Sequence, residues 1–148
     1  MANFPSVTAA GAFESPAVQN AIKTLAEQSV ADRLAALEYD SGPRSLNNLV
    51  TGRASGDVRI RRLGPWVILT VENLVMSEAG SGVLASPALP FGWRPIATQP
   101  GPGQGLSNRI QVTSAGNVQA YNWTTAPIFA TVIYPTNEAP GALVGSAL

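Results

Sequence analysis

The hydrophobic period of the sequence changes at Ser41-Gly42-Pro43. Before this breaker, residues 18–38 contain no glycine or proline and are rich in alanine, leucine, glutamate and glutamine, all good helix formers. After it, apolar and polar residues alternate in several short segments, which is typical of half-buried β-strands. We therefore predict one N-terminal α-helix followed by a mainly β region.

The start of the helix is predicted at Ser15-Pro16, because serine is a good N-cap and proline is well tolerated at the first helical position. We expect the helical segment to cover residues 15–40, with a helix over 16–38 about 30 Å long at 1.5 Å per residue. Apolar residues form a stripe along it, namely Val18, Ile22, Leu25, Val30, Leu34 and Leu37.

Two partners are open for this stripe: the protein's own sheet, or identical helices around a symmetry axis. The step of five from Leu25 to Val30 breaks strict heptad spacing, which weakens the coiled-coil interpretation. The helix nevertheless lies before every β signal, between an aperiodic arm over residues 1–14 and the breaker. This position is typical of an oligomerising stalk, so the stripe is our candidate oligomerisation surface.

Two hairpins and a further strand are predicted in the second part of the chain. The first hairpin joins residues 57–62 to 66–72 and places Trp66 in the core, and the second joins 109–113 to 118–122. Residues 128–134 are rich in β-branched and aromatic residues and predict another strand. Residues 77–107 hold many Gly, Pro and Ser residues and predict a long surface connection.

The expected fold is therefore mainly β, an antiparallel, jelly-roll-like β-sandwich head preceded by one N-terminal α-helix. The head is expected over residues 57–136, joined to the helical stalk by a linker at 41–56. An Ala/Gly-rich tail over 137–148 is expected to lie on a surface or a neighbour.

The composition argues against most catalytic chemistry. The chain has no histidine and no cysteine, which removes the commonest general base, the commonest metal ligand and any thiolate. We expect no enzyme activity, no catalytic residue, no metal and no cofactor. Nine basic residues are interspersed with nine acidic ones, so no nucleic-acid footprint is expected. No segment predicts a signal peptide or membrane insertion.

Charged residues make up 12% of the chain, about half of the roughly 25% usual for soluble domains. A surface so poor in charge suggests that copies of the protein, or a larger assembly, cover part of it. An ordinary neutral soluble protein is the alternative.

The order of the β segments, with one loop, carries a resemblance to a known family. A Val-Arg-Ile-Arg-Arg strand at 58–62, a glycine turn and a Trp-Val-Ile-Leu-Thr-Val strand at 66–71 are followed by Leu-Pro-Phe-Gly-Trp-Arg-Pro at 89–95. A Gly-Asn hairpin and an Ala-Thr-Val-Ile-Tyr-Pro-Thr strand complete the pattern. Over about residues 56–136 the chain resembles the C-terminal head domains of bacteriophage tail-fibre and minor tail proteins.

The resemblance implies a homotrimeric virion structural protein, made in the host cytoplasm and located at the virion surface. With few residues before the head, a short spike is expected, and its arm would dock into a tail or major capsid protein. The head would serve host attachment, with surface carbohydrate as the expected partner. A capsid decoration protein without a ligand, a glycan-cleaving tail spike and a free-standing lectin-like module remain alternatives.

Six head residues are candidate surface ligand contacts. Arg59, Arg61 and Arg62 match the geometry of phosphate in a cell-wall polymer, or else form the solvated face of an edge strand. Trp93 and Trp123 suit stacking on sugar rings, or else are packing anchors, and Arg94 neighbours Trp93.

Carboxylates for glycan cleavage are few in the head region. Sequence alone brings no two of them to the roughly 5–9 Å that such chemistry needs. The carboxylates are Asp57, Glu72, Glu78 and Glu138.

Overall fold

The computed structural model describes residues 15–101 and 109–148, so the arm predicted over residues 1–14 lies outside the described residues. The chain divides into two compact units, Met1–Ala35 and Ala36–Leu148. The described part of the first unit is helical, and the second unit holds the β-strands.

Helix α1 spans Pro16–Glu38, which confirms the predicted start and end. Its first turn closes through a hydrogen bond from the Gln19 backbone N–H to the Ser15 carbonyl oxygen at 3.0 Å. Pro16 needs no such partner because the first N–H groups of a helix are unpaired in any case. None of the α1 side chains is buried, and no helix in the described part of the chain is long and apolar enough to cross a bilayer.

Nine strands form two antiparallel sheets in the described part of the second unit, which confirms the predicted mainly β, sandwich-like fold. The first sheet has the order β8-β3-β2-β1-β9 and the second the order β4-β7-β6-β5. The strands are β1 (Arg44–Ser45), β2 (Arg53–Leu63), β3 (Trp66–Met76), β4 (Gly80–Val83), β5 (Gln99–Pro100), β6 (Arg109–Val112), β7 (Val118–Trp123), β8 (Ile128–Pro135) and β9 (Ser146–Ala147). Both predicted hairpins, β2–β3 and β6–β7, are present, as is the strand predicted at 128–134.

The core consists of the alternate residues that the strands point to the inside of the sandwich. In β8 every second residue from Ile128 to Tyr134 is buried, and β2 and β3 contribute the cross-strand pairs Val58–Val71 and Ile60–Leu69. Each such side chain contributes about 1.5–3 kcal/mol when it is fully removed from water. The period-two pattern is therefore what determines which face of each strand is buried.

Trp66 is not a core residue, contrary to the sequence prediction, since it is 50% exposed. It is the first residue of β3, and it pairs with Leu63 across the turn. Because Val67 and the alternate residues after it face inward, Trp66 must face outward.

The segment 41–56, predicted to be a linker, belongs to the head. It contains β1, a short 3-10 helix at Asn47–Leu49 and the first residues of β2, and Leu46 within it is fully buried. The tail is also part of the head: β9 pairs with β1, and Val144 is buried. A two-residue strand is too short to show a hydrophobic period, so no local pattern predicts β1 or β9.

The connection after β4 is a structural part of the core and not only a surface loop. Four of its side chains are buried, namely Leu84, Ala85, Leu89 and Trp93. Strand β5 lies near the end of the described part of this connection and belongs to the second sheet. These apolar residues lie in irregular backbone and are not regularly spaced, so hydrophobic periodicity did not predict their burial. Residues 102–107 of the predicted connection lie outside the described residues.

The turn between β2 and β3 meets the chain that leaves α1. The Gly64 N–H donates to the Tyr39 carbonyl oxygen (2.6 Å), and Asp40 forms a bridge with Leu63. Gly64 has φ +54°, and a Cβ there would lie 2.6 Å from the Leu37 carbonyl oxygen, so only glycine fits. One end of the sandwich is thus fixed to the residues that directly follow α1.

Candidate functional site

The candidate oligomerisation stripe of α1 is exposed along its whole length. The six apolar side chains, Val18, Ile22, Leu25, Val30, Leu34 and Leu37, are between 36% and 66% exposed. At 100° per residue, the step of five from Leu25 to Val30 turns the stripe part of the way around the helix. Val18, Ile22 and Leu25 therefore face a direction about 120° away from that of Val30, Leu34 and Leu37, and Lys23 and Arg33 lie within the sector that the six span.

Arg62 is not a surface ligand contact, because it is 2% exposed. Its Nε donates to the Gly64 carbonyl oxygen (2.9 Å), its Nη1 to that of Gly92, and its Nη2 to that of Glu138 (2.7 Å). Burial lowers the pKa of this guanidinium, and the charges of Tyr39 and Glu138 oppose the shift. Arg62 therefore joins the β2–β3 turn to two distant loops.

Arg61 and Arg62 differ in burial because they are consecutive residues of strand β2. Consecutive residues of a strand point to opposite faces, so one of two adjacent arginines must point inward. Arg62 shares the inward phase of Val58 and Ile60, whereas Arg59 and Arg61 lie on the outer face. The burial of one of the two arginines could therefore be predicted from the sequence.

The two outward arginines are engaged by carboxylates. Arg59 lies 2.9 Å from Asp57 and 3.2 Å from Glu72, and Arg61 lies 2.5 Å from Asp40. Hydrogen bonding to Arg61, and then to the Gly42 N–H, lowers the pKa of Asp40 to about 2. Two arginines facing three carboxylates leave no excess positive charge for a phosphate-rich polymer.

Asp57 and Glu72 are two carboxylates that the β2–β3 hairpin brings together. These residues are cross-strand neighbours, and both contact the Arg59 guanidinium. Hydrogen bonding from Asn47 (2.8 Å), and then Arg59, lowers the pKa of Asp57. A carboxyl that is held ionised is unsuited to protonate a leaving group, as glycoside cleavage requires.

Trp93 and Arg94 anchor the 89–95 loop. Trp93 is fully buried, its Nε1 donates to the Ala142 carbonyl oxygen (2.9 Å), and its own carbonyl accepts from the Tyr134 hydroxyl (2.8 Å). Arg94 is half-buried, donates to the Leu89 carbonyl oxygen (2.8 Å) and lies 4.1 Å from the Phe91 ring centre. Trp93 is therefore a packing anchor and not a surface contact for sugar.

Trp123, at the end of β7, is the candidate tryptophan that borders a pocket. The pocket has a volume of about 240 Å³ and lies where the turns before β2 and after β3 meet β4 and β7. Glu78 is exposed and is the one carboxylate among the lining residues. The pocket is lined by Thr51, Gly52, Met76, Ser77, Glu78, Ala79, Val83 and Trp123.

Sequence reasoning identified Trp123 but missed its neighbours. Thr51 and Trp123 are both far in the sequence from Ser77 and Val83, and no motif links them. The pairing of β2 with β3 and of β4 with β7 brings them together, and this pairing is seen only in the tertiary structure.

An exposed apolar patch lies on the outer face of β8 and β3. Phe129 is 67% and Ile133 58% exposed, and Ile133 is the cross-strand partner of the half-buried Ile68. Trp66 lies on the same face beside them. The Thr70–Thr131 pair separates Phe129 from the other three side chains. Exposed apolar surface of this kind commonly marks a protein interface.

The remaining chemistry and the comparisons add no further assignment. No group of three or more metal-ligating side chains occurs among residues 15–101 and 109–148. Comparison of the chain with protein-family models, with curated proteins and with solved structures gave no significant match.

Proposed function

We propose that this chain is a non-enzymatic structural protein of a bacteriophage virion, a short homotrimeric surface spike whose β-head faces the host. The observation that carries the proposal is the stripe of six exposed apolar side chains on α1, a helix none of whose side chains is buried. An exposed apolar stripe on a long helix is stabilised when identical helices cover it.

The patch formed by Phe129, Ile133, Ile68 and Trp66 supports the same proposal. It lies on a sheet whose β2–β3 turn contacts Tyr39, immediately after α1. Two sets of exposed apolar side chains in one chain, together with only 12% charged residues, favour a protein that is covered by its own copies.

The viral part of the proposal rests on the resemblance over residues 56–136. The 89–95 loop, which is its most specific element, has a structural explanation of its own. Gly92 has φ +86° and accommodates the close approach of the Ala139 carbonyl, which a Cβ would meet at 2.5 Å.

The oligomeric state of the full chain provides the test. Light scattering and sedimentation equilibrium at micromolar concentration should give a trimer. Ile22→Glu combined with Leu34→Glu should dissociate it, because both replace exposed apolar side chains of α1 by charges.

The matched control is Thr24→Glu combined with Ala35→Glu, which adds the same charges to the opposite side of the same helix. This control should remain trimeric. A wild-type protein that is monomeric at micromolar concentration would contradict the proposal.

A capsid decoration protein without a ligand is the second candidate. It is favoured by the arginines of the head, since Arg59, Arg61, Arg62 and Arg94 are all engaged within the chain. Labelling of the particle would separate the two, because a decoration protein covers the capsid whereas a spike occurs at few positions.

A further inference from the structure

We propose that the pocket beside Trp123 is a binding site for a neutral pyranose sugar. The inference rests on the proposed function only in assigning that sugar to a host surface. The pocket is formed by three chain segments that the fold brings together, residues 51–52, 76–83 and 123.

The indole of Trp123 is held in place before any ligand arrives. Its Nε1 donates to the Glu78 carbonyl oxygen at 2.7 Å, and Trp123 pairs with Gly80 across β4 and β7. A Cβ on Gly80 would lie 3.1 Å from the indole Cζ2, so glycine lets the ring lie directly against the β4 backbone. A fixed aromatic ring binds a sugar face at low entropic cost.

The turns that form the other walls are also fixed. The Ser77 N–H donates to the Gly52 carbonyl oxygen (2.8 Å), and the Thr51 N–H donates to that of Leu84 (3.0 Å). Met76 is buried and contributes an apolar surface, and Val83 is exposed at the edge. The pocket thus combines an aromatic wall with backbone that is already ordered.

Three polar side chains at this pocket are available to a ligand. Within residues 15–101 and 109–148, no hydrogen bond or ion pair engages the Thr51 hydroxyl, the Ser77 hydroxyl or the Glu78 carboxylate. A carboxylate accepts hydrogen bonds from two neighbouring sugar hydroxyls, and serine and threonine hydroxyls donate and accept.

The charge of the pocket selects the class of sugar. Glu78 is the sole charged residue among its lining residues, and no lysine or arginine is present there. A phosphorylated sugar or a uronic acid would meet this carboxylate without a compensating cation, which is unfavourable. A neutral pyranose is therefore the expected ligand.

The position of the pocket in the head fits a binding role. The β2–β3 hairpin has its turn at Gly64, beside Tyr39 and the end of α1, whereas the pocket adjoins Met76 at the open end. Because β2 has 11 residues, the two ends are about 35 Å apart at roughly 3.3 Å per residue. The pocket thus lies at the end of the sandwich opposite the β2–β3 turn and Tyr39.

The test titrates the full-length protein with the methyl pyranosides of glucose, galactose, mannose, rhamnose and N-acetylglucosamine. Saturation-transfer NMR and calorimetry would detect binding at millimolar concentration, and glucose 6-phosphate and glucuronic acid serve as anionic probes. We expect at least one neutral pyranoside to bind and both anionic probes to fail.

Three variants decide where the sugar binds. Trp123→Ala should abolish binding, and Glu78→Gln, a change at an exposed side chain, should weaken it at least tenfold without affecting the fold. Phe91→Ala is the matched control, since it removes another exposed aromatic side chain that does not line the pocket, and it should bind as the wild type does.

Absence of binding to every neutral pyranoside would overturn the proposal. So would binding that survives Glu78→Gln and Trp123→Ala, or tighter binding of the anionic probes. Light scattering on the same samples separates the two proposals: a trimer without sugar binding contradicts only the pocket, and a monomer that binds sugar contradicts only the spike.

Discussion

The guanidinium of Arg62 donates a hydrogen bond of 2.7 Å to the backbone carbonyl of Glu138, 76 residues further along the chain. The carboxylate of Glu138 in turn accepts a hydrogen bond from the Gly92 N–H, and Gly92 offers its own carbonyl to Arg62. A buried arginine and one glutamate thereby fix the 89–95 loop and the C-terminal segment to the β2–β3 turn.

Arg62→Ala should lower the free energy of unfolding by about 3 kcal/mol, since it leaves several buried carbonyl oxygens without a donor. Arg61→Ala, its exposed neighbour, should cost less than about 1 kcal/mol. Urea denaturation followed by circular dichroism would measure both. Equal effects of the two variants would contradict the structural role of Arg62.

Trp93→Phe should lower the free energy of unfolding by about 2 kcal/mol, because it leaves a cavity and removes the hydrogen bond to Ala142. Trp66→Phe should cost less than about 1 kcal/mol, as expected at a half-exposed site. Thermal unfolding of both variants would show the difference. A larger loss of stability for Trp66→Phe than for Trp93→Phe would contradict the burial of Trp93 in the core.

Acidification should weaken the head through Asp40. Its pKa falls from 3.8 to about 2 in the folded protein, so its contribution to stability is complete above pH 3.8 and is lost as the pH falls toward 2. Asp40→Asn should therefore make the unfolding free energy less dependent on pH between 4 and 2. Arg61→Gln removes the main partner and should have the same effect, and a steeper dependence in either variant would contradict this assignment.

Phe129→Ser combined with Ile133→Ser should weaken self-association of the full chain at least tenfold. Both side chains are exposed on the outer face of β8, so the fold of a single head should lose little stability. A dilution series in the analytical ultracentrifuge would measure the association. Ile96→Ser, an exposed apolar residue outside the strands, is the control and should associate as the wild type does.

Local signals predicted α1 and the long hairpins because their information lies in neighbouring residues. The Ser15-Pro16 start, the helix without glycine or proline, and the alternation in β2, β3 and β8 each specify an element from short range. The mainly β sandwich followed from these elements, since alternating strands must bury one face. The apolar stripe of α1 was also visible in the sequence, although its partner was left open.

The partners of individual buried side chains depended on the tertiary structure. Alternation along β2 places Arg62 in the inward phase, but only the folded chain shows that its guanidinium reaches the carbonyl oxygens of Gly92 and Glu138. Trp93 is buried because the 89–95 loop folds onto the tail segment near Ala142. Such contacts join residues distant in sequence, and composition and periodicity are local properties that contain no information on them.

The candidate sugar site shows the same division. The sequence determined that Trp123 was available at a strand end, that the chain lacked histidine and cysteine, and that its head carried few carboxylates. Only the tertiary structure decided that Thr51, Ser77 and Glu78 meet at that tryptophan. The physical reason is that backbone pairing between strands, and not any local preference, sets which turns become neighbours.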